Sequence, residues 1–265
     1  MLIVALLGMV FVVLAAVLIG RFAFLERYQV VEQRTVQEKM ERTVRALAFT
    51  TENLKRFAVD WAVSDAAYGF METGDEASAK ENLTVDALVN IDVDALAFID
   101  NGGEVRLVAS RDCGLSYGAD AGPALSALIK ATGSELVGAA AATPVSGVVG
   151  SPSGPVLVAL HPILPSDGSG DAPGALVVTR ALDGGVLGSM SALTGTEVTA
   201  YPAGDPGLAA DHPWLAPELG WHEVTVVRPL DGDVMVGFVG FRDIFGQPAL
   251  VLEARVDRPE YRGRR

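Results

Sequence analysis

The sequence predicts an α+β fold in which a long N-terminal helix packs on an antiparallel sheet. Two observations predict it. No proline or glycine lies between Arg21 and Phe57, and the later residues form short apolar runs separated by turns that contain Gly and Asp. With 265 residues, 50% of them hydrophobic, the chain can build one sizeable core, or one core with an annex.

Residues Leu2 to Ile19 are predicted to form a transmembrane helix. These 18 residues carry no charge and no polar side chain, and such a length spans the apolar core of a bilayer. A secretory signal peptide is the alternative, but it needs a basic start and a cleavage site, and neither is visible before Arg21. We therefore expect residues 1–25 to anchor the chain in the inner membrane by a single span, with the main domain in the periplasm.

A juxtamembrane signalling helix is expected over residues 26–58. Apolar side chains recur there at helical spacing: Met40, Val44, Leu47, Leu54, Ala58 and Trp61. Such a stripe fits packing on the chain's own sheet as well as a parallel coiled coil between two copies. We expect both, with a coiled coil near the membrane that makes a homodimer and sheet packing from about Leu47 onward.

Short helices and strands are predicted for the rest of the chain. Helices are expected at 78–90, 123–131 and 186–193, and residues 132–154 are expected to form a mobile loop with one weak strand. Strands are expected at 94–100, 104–110, 155–164 and 174–182, and further strands of the same region at 196–201, 223–230, 233–241 and 248–256. Pro162 indicates an edge position or a bulge, because proline cannot donate to a strand ladder.

The net charge of −13 is concentrated in the body of the chain. Between Phe57 and Ala254, seven basic residues face 26 acidic ones. An acidic body repels nucleic acid, whose binding depends on neutralised phosphates. The sequence contains no P-loop, no nucleophile elbow and no Cys/His cluster with zinc spacing, and its single cysteine excludes an intrachain disulfide. We expect no enzyme activity, no metal and no cofactor.

The segment Val59 to Phe70 is a candidate for ligand binding. Trp61, Asp65 and Tyr68 follow one another at i, i+4 and i+7, so on one continuous helix they share a face. Asp65 then stands on an apolar stripe, where a carboxylate is costly unless it is paired. We interpret Asp65 either as a structural carboxylate with a satisfied partner or as the polar anchor of a pocket.

Two arginines in predicted strands, Arg106 and Arg180, are further candidates. A guanidinium in a sheet presents a planar fork to a carboxylate. These arginines either pair with Asp65 or Asp100, or stay exposed, or capture an anionic or amino-acid-like ligand. Neighbouring aromatic side chains would form the apolar walls of such a pocket. The candidate ligand-binding residues are therefore Trp61, Asp65, Tyr68, Phe98, Arg106 and Arg180.

Three blocks of the sequence are similar to a known family. They are the helix end DWAVSDAAYGF, the hairpin VDALAFIDNGGEV with Asp100 and Gly103, and the hairpin HPILPSDGSGDAPGALVVTRALD with Arg180. In this order, after an apolar segment and a long helix, they resemble the fourth type of CHASE domain, an extracytoplasmic sensory module of bacterial and archaeal receptors. The resemblance covers about residues 49–187, within a predicted sensory domain at 49–193. The stretch FRDIFGQPALVLEARVDRPEY resembles the segment before the second span of such receptors.

The resemblance implies a fold related to the Cache and PAS-like sensors, and ligand reception outside the membrane. It also implies a cytoplasmic output such as a diguanylate cyclase or a histidine kinase. We expect residues 194–256 to add strands to the extracytoplasmic region, and the basic residues 257–265 to lead to a second span beyond them. The expected function is the sensor region of a signal-transduction receptor for a small ligand or an envelope stimulus. The alternative is an envelope adaptor that binds a protein partner, with residues 132–154 as its contact surface.

Overall fold

The fold comes from a computed structural model that describes residues 2–74, 85–111, 114–116, 138, 143–151, 154–221, 225–231 and 233–257. Before Val31, the described side chains are those of Met9 and Leu14, which are both exposed. The predicted helix at 123–131, the first part of the predicted helix at 78–90 and residues 258–265 lie outside the described residues.

Helix α1, Leu2–Ala62, is continuous and contains the predicted signalling helix. Its polar positions carry strong helix formers, and two ion pairs one turn apart, Arg34–Glu38 at 3.2 Å and Glu41–Arg45 at 3.4 Å, lie on its solvent side. Within the part of the chain that the structure describes, no helix has both the length and the apolarity needed to cross a membrane. The predicted span at 2–19 falls almost wholly outside the described side chains and stays a prediction.

One face of α1 is buried on the chain's own sheets. The buried residues of this face are Val36, Met40, Thr43, Leu47, Leu54, Ala58 and Ala62. The predicted stripe is confirmed, but its expected division is wrong, because packing on the chain itself begins at Val36 rather than near Leu47. A side chain that is buried in its own core cannot also enter a coiled coil. From Val36 onward this stripe is therefore occupied, and a homodimer stays a prediction for other surfaces.

The chain bends where α1 ends, before helix α2 (Asp65–Thr73). Ser64 caps α2, since its Oγ accepts a hydrogen bond from the N–H of Ala67 at 3.1 Å. The same Oγ donates to the carbonyl of Trp61 at 3.0 Å and so holds the bend. The prediction that Trp61, Asp65 and Tyr68 share one helical face is therefore wrong, because Trp61 belongs to α1 and the other two residues belong to α2.

The first sheet has six antiparallel strands in the order β3-β2-β1-β6-β5-β4. The strands are β1 Ala95–Asp100, β2 Val105–Ser110, β3 Gly114–Ser116, β4 Val145–Ser151, β5 Gly154–Pro162 and β6 Gly174–Ala181. Helix α3, Val85–Asn90, precedes this sheet, and α1 packs on β5 and β6. Alternate strand residues build one core with α1 and a separate core on the opposite face.

Strands β4 and β5 confirm the weak strand expected within 132–154 and the edge position expected for Pro162. The weak strand expected within 132–154 is the seven-residue strand β4, which pairs with β5 from Val145↔Leu160 to Ser151↔Gly154. Pro162 lies beyond the last of these pairs and is therefore locally at an edge, as its missing N–H requires.

The strands expected in the last third form a second sheet in the order β7-β10-β9-β8. They are β7 Glu197–Pro202, β8 Val226–Pro229, β9 Val234–Arg242 and β10 Pro248–Asp257. Helix α4, Gly184–Thr194, connects the two sheets and is capped by Asp183 at its start and by Gly195, with φ of 62°, at its end. The short helices α5 (Pro206–Asp211) and α6 (Leu215–Glu218) contribute to a core on the face of this sheet that α1 does not cover.

Close backbone approaches join α1 and the two sheets. A Cβ on Gly237 of β9 would lie 3.0 Å from Val36 Cγ1 and 3.3 Å from Met40, so the absence of a side chain lets α1 pack closely on β9. The turn between β9 and β10 meets the first sheet, where the N–H of Ile244 donates to the carbonyl of Val148 at 3.3 Å. Helix α1 thus shares a packed core with both sheets.

Gly174→Ala is expected to destabilise the fold. A Cβ at this position in β6 would lie 2.1 Å from the carbonyl oxygen of Ile99 and 2.7 Å from Met71 Cε. The backbone must shift to relieve the first of these contacts, which costs about 2–3 kcal/mol of unfolding free energy. Urea unfolding of the purified variant measures the loss.

Gly188→Ala is the matched control for this substitution. Gly188 lies inside α4, and a Cβ there meets no atom within 4 Å. Alanine should stabilise this helix by about 0.5–1 kcal/mol relative to glycine. Equal effects of the two substitutions would contradict the close approach at Gly174.

Candidate functional site

A cleft of about 280 Å³ opens between α1 and α4. We call it the α1–α4 cleft. Its apolar walls are Phe49, Leu54 and Phe57 from α1, Ile91 and Val93 from the segment after α3, and Val186, Met190 and Leu193 from α4. Its polar lining consists of Thr50, Asn53, Asp92, Arg180 and Ser189. Of the six candidate residues derived from the sequence, Arg180 is the one that lines this cleft.

The two helices place their side chains in the cleft at helical spacing. Phe49, Asn53 and Phe57 follow one another at i, i+4 and i+8 on α1, and Val186, Met190 and Leu193 do so at i, i+4 and i+7 on α4. The side-chain oxygen of Asp183 accepts from the N–H groups of Gly185 and Val186 at 2.9 Å each and so fixes where α4 begins.

Four charged residues, Asp92, Asp94, Arg111 and Arg180, form a charge cluster at the cleft. Arg180 contacts the carboxylate of Asp92 directly. Arg111 contacts Asp92 at 3.2 Å and Asp94 at 3.4 Å, and its Nε donates to the carbonyl of Val93 at 2.7 Å. Two guanidinium groups and two carboxylates make the cluster neutral.

The charge cluster fixes the chain between α3 and β1. Asp92 has φ of 61°, a left-handed conformation that Asp tolerates better than most residues. Asp94 accepts a hydrogen bond from the N–H of Ala181 at 2.6 Å, next to Arg180 in β6. The acidic segment is thus tied to β6 and to the end of β2, so Asp92 and Arg180 are held side by side.

The rim of the cleft exposes large apolar side chains. Leu193 is 80% exposed and Phe49 is 64% exposed, while Val89 in α3, two residues before the lining residue Ile91, is 53% exposed. Arg180 itself is largely covered, with 19% of its side chain exposed. The cleft thus combines apolar side chains from both helices with one cation and one anion.

The predicted aromatic residues lie around the core rather than in the cleft. Phe98 is buried and meets Phe70 edge-on at a centroid distance of 5.6 Å. Trp61 is half-buried and packs on Phe57 at a centroid distance of 5.5 Å, so it contacts a residue that lines the cleft without lining it itself. Tyr68 is half-buried against the same core. Binding by Trp61, Tyr68 and Phe98 stays a prediction that the structure does not test.

The partners predicted for Asp65 are wrong. Asp65 is exposed, and its Oδ1 accepts from the N–H of Ser166 at 2.9 Å while Ser166 Oγ accepts from the N–H of Asp65 at 3.2 Å. Among the described residues it forms no ion pair with Arg106 or Arg180. The bend at Ser64 turns Asp65 away from the sheet, so this carboxylate fastens α2 to the loop between β5 and β6.

Arg106 pairs with Asp100 at 3.7 Å, which confirms one of the two partners proposed for it. Phe98 pairs with Leu107 and Ile99 pairs with Val105, so Arg106 is the extra residue of a β-bulge. Its side chain is 45% exposed. The structure therefore does not bring Arg106 and Arg180 together.

Arg111 and Asp92 were missed by the sequence-based predictions. Two features of the sequence pointed to them. The pattern Asp92-x-Asp94 precedes β1, and Arg111, one of few basic residues in this part of the chain, directly follows β2. The apolar walls from α4 had no comparable signal, because the pairing of α4 with α1 arises only from the packing of the two sheets.

A second polar cluster lies in the second sheet. Glu253 in β10 is completely buried, and its two carboxylate oxygens accept from Tyr201 at 2.9 Å and from Arg255 at 2.5 Å. Burial, together with the hydrogen bond to Glu253, raises the pKa of Tyr201 to about 12, and the same carboxylate raises the pKa of Arg255. Both oxygens have partners, so this cluster holds β10 against β7. Within the described ranges, no group of three or more His, Cys, Asp or Glu residues could hold a metal ion.

The fold, a long helix against antiparallel sheets, is similar to that of Cache-like sensor domains. The extracellular domain of vpHK1S-Z8 superposes on 88% of the chain with a TM-score of 0.56 at 14% identity and is itself covered to 97%. The sensor domain of the V. cholerae histidine kinase DctB covers 88% of the chain with a TM-score of 0.50 at 11% identity, and 99% of that domain is matched.

The family model of the CHASE4 domain matches residues 46–201, and the chain belongs to this family of sensory domains. A curated relative is the methanogenesis regulatory histidine kinase FilI of Methanothrix harundinacea (strain 6Ac), which is 26% identical over 231 residues. That match covers 86% of the chain, and the chain spans about a quarter of the length of FilI, since 25% of the relative is matched.

Tyr201→Phe is expected to make the free energy of unfolding fall less steeply with pH above pH ~10. A tyrosine in an unfolded chain has a pKa of about 10, whereas that of folded Tyr201 is about 12. The folded state therefore holds the proton more tightly, and this stability, complete below pH ~10, is lost as the pH rises towards ~12. Urea unfolding of both proteins across this pH range gives the two slopes, and identical slopes would contradict the assigned pKa.

Proposed function

We propose that the chain is the extracytoplasmic sensor region of a membrane-anchored signalling receptor, and that occupancy of the α1–α4 cleft is its stimulus. One observation supports this above all others. Helix α1 forms one wall of the cleft, packs on both sheets and continues as a helix to Leu2. A molecule that enters the cleft therefore acts on the element that leads out of the domain.

The signal is a shift between two packings of α1 against α4. A ligand favours the packing that it binds more tightly, and it shifts the balance only by that difference in affinity. Helix shifts of about 1–2 Å along an interface are a common form of such switches. The ion pairs Arg34–Glu38 and Glu41–Arg45 join residues of α1 to each other, so a shift of the helix as a unit leaves both pairs intact.

The apolar N-terminal segment and the relative FilI support a proposal for the wider receptor. The apolar segment Leu2 to Ile19 is the membrane anchor of this proposal. The output is a cytoplasmic domain such as the kinase of FilI, or a diguanylate cyclase. A homodimer would use the part of α1 before Val36 together with the solvent side of the helix, because the buried stripe after Val36 is occupied.

An adaptor for a protein partner is the second candidate function. It is favoured by the exposed apolar side chains of Leu193, Phe49 and Val89, which a partner surface would cover. This contact surface differs from the one expected at 132–154, where the described part includes strand β4 rather than a free loop.

Filling the cleft with Leu193→Trp should change the signal. Leu193 is 80% exposed and lines the cleft, so the larger ring fits without disturbing the core. A bias of about 1 kcal/mol between the two packings changes their ratio about fivefold. The measurement is autophosphorylation in membranes of a chimera that joins residues 1–265 to the second membrane span and the cytoplasmic half of a histidine kinase.

Val89→Trp is the matched control, because Val89 is an exposed apolar residue, two positions before the lining residue Ile91, that does not line the cleft itself. Its chimera should signal like the wild type. If neither substitution changes the output, the cleft is not the switch. A thermal-shift screen of metabolites separates the two functions, since a sensor is stabilised by a ligand that binds its folded state, and this stabilisation should disappear in Leu193→Trp.

A further inference from the structure

The α1–α4 cleft places one cation and one anion within a small apolar space. Arg180 and Asp92 line it in direct contact with each other, and its apolar lining includes Phe49, Phe57 and Leu193. Opposite charges side by side under apolar walls define the chemistry of the molecule that fits them.

We propose that this cleft binds a small zwitterion with an apolar substituent, the chemistry of an α-amino acid with an apolar side chain. Its carboxylate bonds to the guanidinium of Arg180 and its ammonium group to the carboxylate of Asp92. This assignment rests on the proposed function, because it names the ligand class of the same cleft.

The charges of the cluster favour a zwitterion over an ion of either sign. A simple anion that binds Arg180 would be repelled by the neighbouring carboxylate of Asp92. It would also be repelled by the body of the chain, where 26 acidic residues face seven basic ones between residues 57 and 254. A simple cation that binds Asp92 would be repelled by the guanidinium groups of Arg180 and Arg111, which already contact this carboxylate. A zwitterion presents one charge to each partner and leaves the cluster neutral.

The geometry of the two charged groups leaves room for both bonds. A guanidinium carries five N–H donors in a fixed fork. Among the described residues, the ion-pair partner of Arg180 is Asp92, so further N–H groups of the fork are available to a ligand. The Asp92 side chain is 58% exposed and accepts from Arg111 on one oxygen at 3.2 Å.

The apolar walls and the volume define the rest of the ligand. A cavity of about 280 Å³ lies at the small end of ligand pockets, so it suits a molecule of amino-acid size. Its substituent packs between the two helices against Phe49, Phe57 and Leu193, and covers apolar surface that is otherwise exposed.

The test compares each zwitterion with derivatives that keep one charge. Isothermal titration of the full chain in detergent uses L-phenylalanine and L-leucine, the amide of each, which keeps only the cation, and the N-acetyl form, which keeps only the anion. At least one zwitterion should bind at least about tenfold more tightly than both of its derivatives, because each loses a charged hydrogen bond. If neither amino acid shows this preference, the assignment is wrong.

Substitutions assign the two contacts. Arg180→Gln and Asp92→Asn should each weaken binding of the zwitterion by at least about tenfold, and Asn keeps the tolerance for the left-handed backbone at position 92. Arg106→Gln is the control, since it removes the same charge from the same sheet outside the cleft. Equal losses in Arg106→Gln and Arg180→Gln would overturn the proposal.

The outcomes separate the ligand class from the proposed function. If Leu193→Trp changes the output of the chimera but no zwitterion binds, the cleft is the switch and the ligand class is wrong. If the zwitterion binds with the expected dependence on Arg180 and the output never responds to it, the ligand class holds and the proposed function is wrong.

Discussion

Burial of one face of α1 is the constraint on which the rest of the structure depends. From Val36 to Ala62, this face contacts β9 and β10 of the second sheet and β5 and β6 of the first. Neither sheet covers its inner face without this helix, because alternate strand residues need an apolar partner there. The stripe that looked suited to a coiled coil is thus the shared core of the domain.

The position of the cleft follows from the same constraint. Once α1 lies along both sheets, α4, which connects β6 to β7, must pass beside it, and a groove remains between the two helices above the end of β6. Two members of the charge cluster, Asp92 and Arg180, line this groove. The connection from β6 to β7 and the burial of α1 therefore create the cleft, and a few charged side chains determine which ligands it can bind.

Much of the fold could be predicted from the sequence, because its signals are local. The length of α1, the hairpins and most strands follow from periodicity and turn residues. The break at Ser64 could not, because the segment is apolar on both sides and the bend depends on a cap and on the bridge between Val63 and Leu164. Asp65 was therefore assigned to the wrong face. Arg180 was found because an arginine inside a predicted strand is rare in an acidic body, whereas its neighbours in the cleft come from distant segments.

Hydrogen exchange of the α1 amides tests the central claim most directly. If both sheets depend on α1, its amides from Val36 to Ala62 should exchange only through global unfolding, with the same protection free energy as those of β6 and β9. The proposed shift of α1 moves the helix as a unit and leaves its hydrogen bonds intact. Exchange of these α1 amides at much lower free energy, while β6 and β9 stay protected, would contradict the account.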